Sequence, residues 1–358
     1  MVPLLRESPP PVPATRGRLH LPRPEALART RAGLAEAVAA VREAPGFFAS
    51  LSGAVGATAQ RGTWQPEEPA PVSRTGRARR GEANRSEADQ EEHDRYFGVT
   101  RVDAEPERAF VRGLLRAHLD LDDDARAMGC TLLDADAWDT LFAGVRVLLD
   151  LALGAPRDEA ARRAPFPGSV PGWCAAGYDP DRRWMVGHRL FFAQIQAVIV
   201  GLHLFEEAAS AGDARGAGEG LRLATAFMRS SAAAMKHTSD FDPADYEARV
   251  RPAMAPPRVQ AGFSGLQTRD HTMLVRTFTR LRPLFAAAAA YADAHRAFVD
   301  AVVDAYAAHE FVCARFRGDV LPSLRMAAHA GGQVDRSGVD VVREMMRARL
   351  MLVDPKHG

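Results

Sequence analysis

Apolar positions from about residue 95 onward recur in steps of three and four, the spacing of one face of an α-helix. The pattern predicts helices over 105–120, 135–153, 181–210, 214–237, 268–292 and 294–317. Ala is abundant, Val/Ile alternation is scarce, and no Asn-Gly or Asp-Gly hairpin signal occurs, so no sheet is expected. Breaks are expected at Pro165–Pro171, at Asp240–Pro243 and across Arg251–Gly265. The last of these, RPAMAPPRVQAGFSG, is too long and apolar for a simple turn, and Met254 and Phe263 are expected to line something buried.

The N-terminal part has another texture. Residues 1–24 are rich in Pro and Arg and are expected to form a loose arm. One helix is expected at about 25–43, with Leu27, Leu34 and Val38 near one face. Residues 55–92 look irregular, and the basic run Arg74 to Arg80 is expected to be a solvated loop. The expected division is therefore an N-terminal extension over 1–92 and a mainly α-helical domain over 93–358.

The chain has 358 residues, with 46 Lys plus Arg against 45 Asp plus Glu and a net charge of +1. Such a balance gives no general attraction to nucleic acid or to an anionic membrane. No membrane span and no apolar signal core are expected, which together point to a cytoplasmic protein. The cysteines Cys130, Cys174 and Cys313 are too few and too scattered for a disulfide framework. There is no Walker loop, no Gly-x-Gly-x-x-Gly opening a helix, no His-Glu-x-x-His and no Gly-x-Ser-x-Gly, so nucleotide, zincin and serine-hydrolase chemistry have no positive support.

The chemical resource is histidine, in three settings. In AYAAHEFVCARF, His309 and Cys313 stand one turn apart on a stripe with Phe298, Val302, Tyr306 and Phe316. On spacing alone this pair is a core histidine beside a free cysteine, half of a zinc site lacking its closing ligands, or a holder for a flat porphyrin. In GFSGLQTRDHTML, Ser264 has the character of an N-cap with Gln267 completing a capping box, which would put His271 on the second helical turn. In RRWMVGHRLFFAQIQAVIVGLHLF, His188 leads an apolar face through Phe191, Ile195, Val198, Leu202 and Phe205. A histidine there is either a hydrogen-bonded core residue or a base in a dry pocket.

Taken in order, these segments resemble the tryptophan 2,3-dioxygenase-like superfamily of haem proteins. The matching places are Gly187-His188 through Gln194, then Ser264-Gly265-Leu266-Gln267-Thr268, then His309. His271 with His309-x-x-x-Cys313 more narrowly resembles the peroxide-using 3-methyl-L-tyrosine hydroxylases of saframycin-type antibiotic biosynthesis. The enzymes that rearrange the pyrrolnitrin ring are more distant relatives. The similarity spans about residues 90–330.

The resemblance implies an all-α bundle enclosing a c-type haem. It implies His309 as proximal ligand, His271 as second axial ligand or close to the iron, and one thioether bond from Cys313. Ser264 and Gly265 would belong to the cofactor-binding segment. It further implies hydroxylation of 3-methyl-L-tyrosine by hydrogen peroxide to 3-hydroxy-5-methyl-L-tyrosine, with His188 as base, and a homo-oligomer. Thr272 stands where the dioxygenases carry the arginine that clamps the substrate carboxylate, so Arg258, Arg269 or Arg276 would have to supply that charge. Other readings are a tryptophan or indole dioxygenase, a ring-rearranging enzyme, a bis-histidine haem protein for electron transfer or sensing, and a helical binding module without haem.

Overall fold

The computed structural model describes residues 17–43, 83–154, 178–260, 263, 268–316 and 337–355. The architecture is all-α. The helices are α1 (Arg31–Arg42), α2 (Ala83–Tyr96), α3 (Pro106–Met128), α4 (Ala135–Leu153), α5 (Pro180–Ser210), α6 (Ala214–Thr238), α7 (Arg269–Ala286), α8 (Ala292–Arg315) and α9 (Gly338–Val353).

Local chemistry sets many of the boundaries. Asp134, Asp179 and Asp213 each accept a hydrogen bond from a backbone N–H in the first turn of α4, α5 and α6, satisfying donors that have no partner inside the helix. A capping box between Ser337 and Asp340 opens α9. Gly129 and Gly154, both at positive φ, follow α3 and α4 at a conformation that a side chain would strain.

Helix α6 lies at the centre, packed most extensively on α5, then on α8 and α4. A Cβ on Gly201 of α5 would come within 2.7 Å of the Ala224 backbone nitrogen of α6, so these helices approach backbone to backbone. Helix α5 is long and apolar enough to cross a membrane by length and composition, and 89% of its most apolar window is buried inside the fold. It is the core helix that α3, α6 and α7 cover.

Several expectations change. Leu19–Pro22 (β1) pairs in parallel with Val99–Val102 (β2), so part of the expected loose arm is ordered and a small sheet exists. Two four-residue strands are too short to show alternation, and β1 ends in a proline. The helix expected over 25–43 is a short 3-10 turn at Pro24–Ala26 followed by α1, which starts after the Thr30 cap. Helix α2 begins inside the stretch that looked irregular. Helix α3 continues to Met128, with Arg126 donating to both Asp122 oxygens at 2.7 and 2.9 Å. Helix α7 ends at Ala286, not 292, with Pro283 in its last turn. Residues 243–253 form short helical turns that start and finish inside the breaks expected at Asp240–Pro243 and Arg251–Gly265. Met254 and Phe263 are buried, Phe263 stacking on His93 at 4.1 Å. Pro165–Pro171 and the Arg74–Arg80 run lie outside the described residues.

Candidate functional site

A narrow cavity with about 50 Å³ of void lies between α5, α6, α7, α8 and α9. Each wall is one helix face at steps of three and four. Phe191, Ile195 and Val198 come from α5; Met228, Ser231 and Met235 from α6; His271, Leu274, Val275 and Phe278 from α7; Val302, Ala305, Tyr306 and His309 from α8; and Arg349 from α9. The lining is mainly apolar with a few convergent polar groups, the character of a small-molecule or cofactor site.

His309 is half-buried, and burial pulls its pKa down to about 4. At neutral pH the ring is therefore uncharged and keeps a lone pair, the form that ligates a metal. Cys313 sits one turn further along α8, half-buried, its thiol pushed up to about 11 chiefly by burial and then by Glu310. It stays protonated at neutral pH and does not line the cavity.

His271 lies at the third residue of α7, not on its second turn. The cap is Thr268, whose hydroxyl accepts the His271 backbone N–H at 3.3 Å. The next-door residue, Asp270, is completely buried and receives Arg101 at 3.0 and 2.6 Å and Gln196 at 2.7 Å. Arg101 also donates to Asp94 and to the Pro22 carbonyl. One guanidinium on β2 thus ties α2, β1 and the start of α7 together and fixes the turn that carries His271. Ser264 and Gly265 lie outside the described residues.

His188 does not line the cavity. Its Nδ1–H donates to the Trp184 carbonyl at 2.8 Å, which leaves Nε2 as an acceptor. The ring stacks on Phe97 at 4.7 Å and leans on Trp184 at 4.2 Å. Burial first, and then His309, lower its pKa to about 4, with the Trp184 hydrogen bond opposing. The His309 imidazole on α8 thus lies close enough to act on the His188 ring on α5. Of the arginines named from sequence, Arg276 is exposed, Arg269 lies 3.9 Å from Glu87, and Arg258 sits near Tyr96; none lines the cavity.

A second buried polar cluster holds Cys130, His237 and Asp240, whose ligand-type atoms lie within 4.8 Å of one another. Arg183 occupies the same nest, donating to Asp124 Oδ2 at 2.8 Å, to the Asp240 carbonyl at 2.8 Å and to the Gly129 carbonyl at 2.7 Å. Its single charge is shared between Asp124 at 2.8 Å and Asp240 at 3.7 Å. Burial holds the Cys130 thiol protonated, with its pKa at about 12. This cluster ties α3 and α5 to the end of α6 and is a structural network.

Sequence reasoning missed Arg349 and the α6 wall. Met228, Ser231 and Met235 could have been found from the three-to-four spacing of α6. Arg349 gave no local signal, because its role depends on a helix packing beside α8.

The family model for SfmD 3-methyl-L-tyrosine peroxygenase matches residues 5–297. That span includes His188 and His271 and stops before His309 and Cys313. The chain is 30% identical over 259 residues to a 3-methyl-L-tyrosine peroxygenase of Streptomyces lavendulae, covering 72% of this chain and 69% of the relative. It is also similar in fold to a crystal structure of reduced SfmD soaked with sodium hydrosulfite. The TM-score there is 0.61 at 24% identity, over 82% of this chain and 96% of the other.

Proposed function

Because the chain belongs to the SfmD 3-methyl-L-tyrosine peroxygenase family of oxidoreductases, we propose that it is a haem-dependent enzyme. In this reading 3-methyl-L-tyrosine and hydrogen peroxide give 3-hydroxy-5-methyl-L-tyrosine and water. The observation that carries the reading is a pair of imidazoles, His271 from α7 and His309 from α8, lining one mainly apolar cavity. The residues fit haem: the donor set is nitrogen, His309 is neutral at pH 7, and the walls are aliphatic and aromatic. A smaller, charged metal site would have carboxylates here, and no carboxylate lines the cavity among the described residues.

His309 would hold the haem iron, and Cys313, one turn further along α8, would anchor the ring covalently through its sulfur. His271, the other imidazole lining the cavity, would hold the group from α7, where no covalent bond would tie its helix to the ring. Haem, when bound, supplies peroxide activation and oxygen transfer. The rest of the work belongs to the chain. The apolar walls exclude water and hold the aromatic ring.

His188 keeps its Nε2 lone pair at neutral pH and takes the proton of the phenol or of peroxide in transit. With a pKa of about 4 the protonated ring is a strong enough acid to return that proton readily, which suits a shuttle better than a resting base.

The test is incubation with hydrogen peroxide and, in parallel, 3-methyl-L-tyrosine, tyrosine and tryptophan, read by liquid chromatography with mass detection. A gain of one oxygen on the methylated tyrosine is expected, and His188→Ala should slow turnover more than it lowers haem content. A gain of two oxygens on tryptophan, with no catechol from either tyrosine, would move the reading to a dioxygenase.

A further inference from the structure

Arg349 is the one permanently charged side chain among the described residues that line the cavity. It reaches the cavity from α9, beyond the span of the family match. Its Nε is buried with no hydrogen-bond acceptor. The guanidinium sits beside the Tyr306 phenol, which it favours in its ionised form against the stronger effect of burial. No carboxylate of the described residues pairs with it. A guanidinium presents five donors in a planar fork that matches a carboxylate. Held against an apolar cavity without such a partner, it leaves the buried Nε–H unsatisfied at a cost.

We propose that Arg349 is the carboxylate receptor of this cavity. The inference rests on the haem and amino-acid reading above, which brings in two carboxylate sources: the α-carboxylate of the substrate and a propionate of haem. Both present the same chemistry, and the guanidinium would take either in a forked, charge-assisted pair. Tyr306, which shares the wall, is hydrogen-bonded to the same guanidinium. This assignment replaces the three arginines suggested by sequence, none of which reaches the cavity.

The experiment uses the purified holoenzyme with Arg349→Met, which removes the charge, and Arg349→Lys, which keeps it. Circular dichroism melting establishes that each variant is folded. Haem content and the visible spectrum give one readout. Calorimetric titration with 3-methyl-L-tyrosine and with its methyl ester, which lacks the carboxylate charge, gives the other.

If the substrate carboxylate is the occupant, Arg349→Met weakens the free amino acid roughly ten- to a hundredfold and leaves the ester unchanged, while Arg349→Lys recovers part of the loss. If a propionate is the occupant, Arg349→Met lowers haem content or shifts the haem spectrum, and the preference for acid over ester persists. A folded Arg349→Met protein with wild-type haem content, spectrum and acid-over-ester preference overturns the inference while leaving the proposed function standing. A wild-type protein that takes up no haem overturns the haem reading instead. The acid-over-ester preference, measured on that same haem-free protein and its Arg349→Met variant, then decides Arg349 separately.

Discussion

His237 and His309 both sit near the C-terminal ends of long helices that pack on one another, and both have lowered pKa values, yet their surroundings differ in kind. His237 is fully buried among charges: its Nε2 lies 3.4 Å from Asp124 Oδ2, its Nδ1 lies 3.9 Å from Cys130 Sγ, and Arg183 and Asp240 close the nest. His309 is half-buried, and burial alone depresses its pKa. The first ring is committed to its neighbours. The second faces a cavity with its lone pair uncommitted to any charge. Burial by itself therefore does not mark a functional histidine; what separates the two is whether the fold supplies the partner or leaves space for one.

The largest expected effect follows from that difference. His309→Ala should leave the fold intact and abolish haem retention, because it removes the proposed anchoring ligand from an apolar wall. Pyridine haemochrome analysis of purified protein, normalised to chain concentration, reads this directly. Wild-type haem content in the variant would break the comparison by showing that the cavity-facing histidine is as dispensable to the cofactor as His237.

The converse belongs to the network. Asp124→Ala strands Arg183, a completely buried guanidinium, with its main carboxylate gone. Removing one partner of a buried ion pair costs about 3–5 kcal/mol. Urea denaturation should report that loss, while the haem bound per folded molecule stays at the wild-type level. A loss of haem without a loss of stability would reverse the two assignments.

Both regions were only partly legible in the sequence. Helix α4 over 135–153 matches its expected bounds, and α5 and α6 match to within a residue, because long apolar stripes bounded by Asp caps and glycines fix them locally. Helix α2 was missed because ANRSEADQEEHDRY has almost no apolar stripe and contributes mainly His93 and Asp94 to the interior. Helix α9 and the β1–β2 pair were missed because their burial depends on elements far away in the chain.

In the site, His271 and His309 stood out by their spacing, and the structure brings them to one cavity. His188 stood out equally and faces an aromatic cluster beside that cavity. The Asp124–Arg183–His237 cluster gave no warning, since its members are far apart in sequence and none forms a motif.

His118 sharpens the comparison as a third case: a buried imidazole on α3 with neither a charge network nor a cavity. It is 2% exposed, and its Nδ1–H donates to the Leu114 carbonyl at 2.8 Å. Burial lowers its pKa to about 4, from about 6.5 in the unfolded chain. Between those values the unfolded chain binds the extra proton, so stability rises with pH. The contribution is fully present above about pH 6.5 and is lost as pH falls toward 4. A shift of this size corresponds to about 3 kcal/mol. Replacing the ring in His118→Gln removes the titration, so the difference in unfolding free energy between wild type and variant should shrink by roughly that amount from pH 7 to pH 4. Urea titrations at four or five pH values measure it, with haem content held equal. Parallel stability curves for the two proteins would mean that His118 does not titrate differently in the fold. Burial without partner or space would then have no measurable consequence at this position.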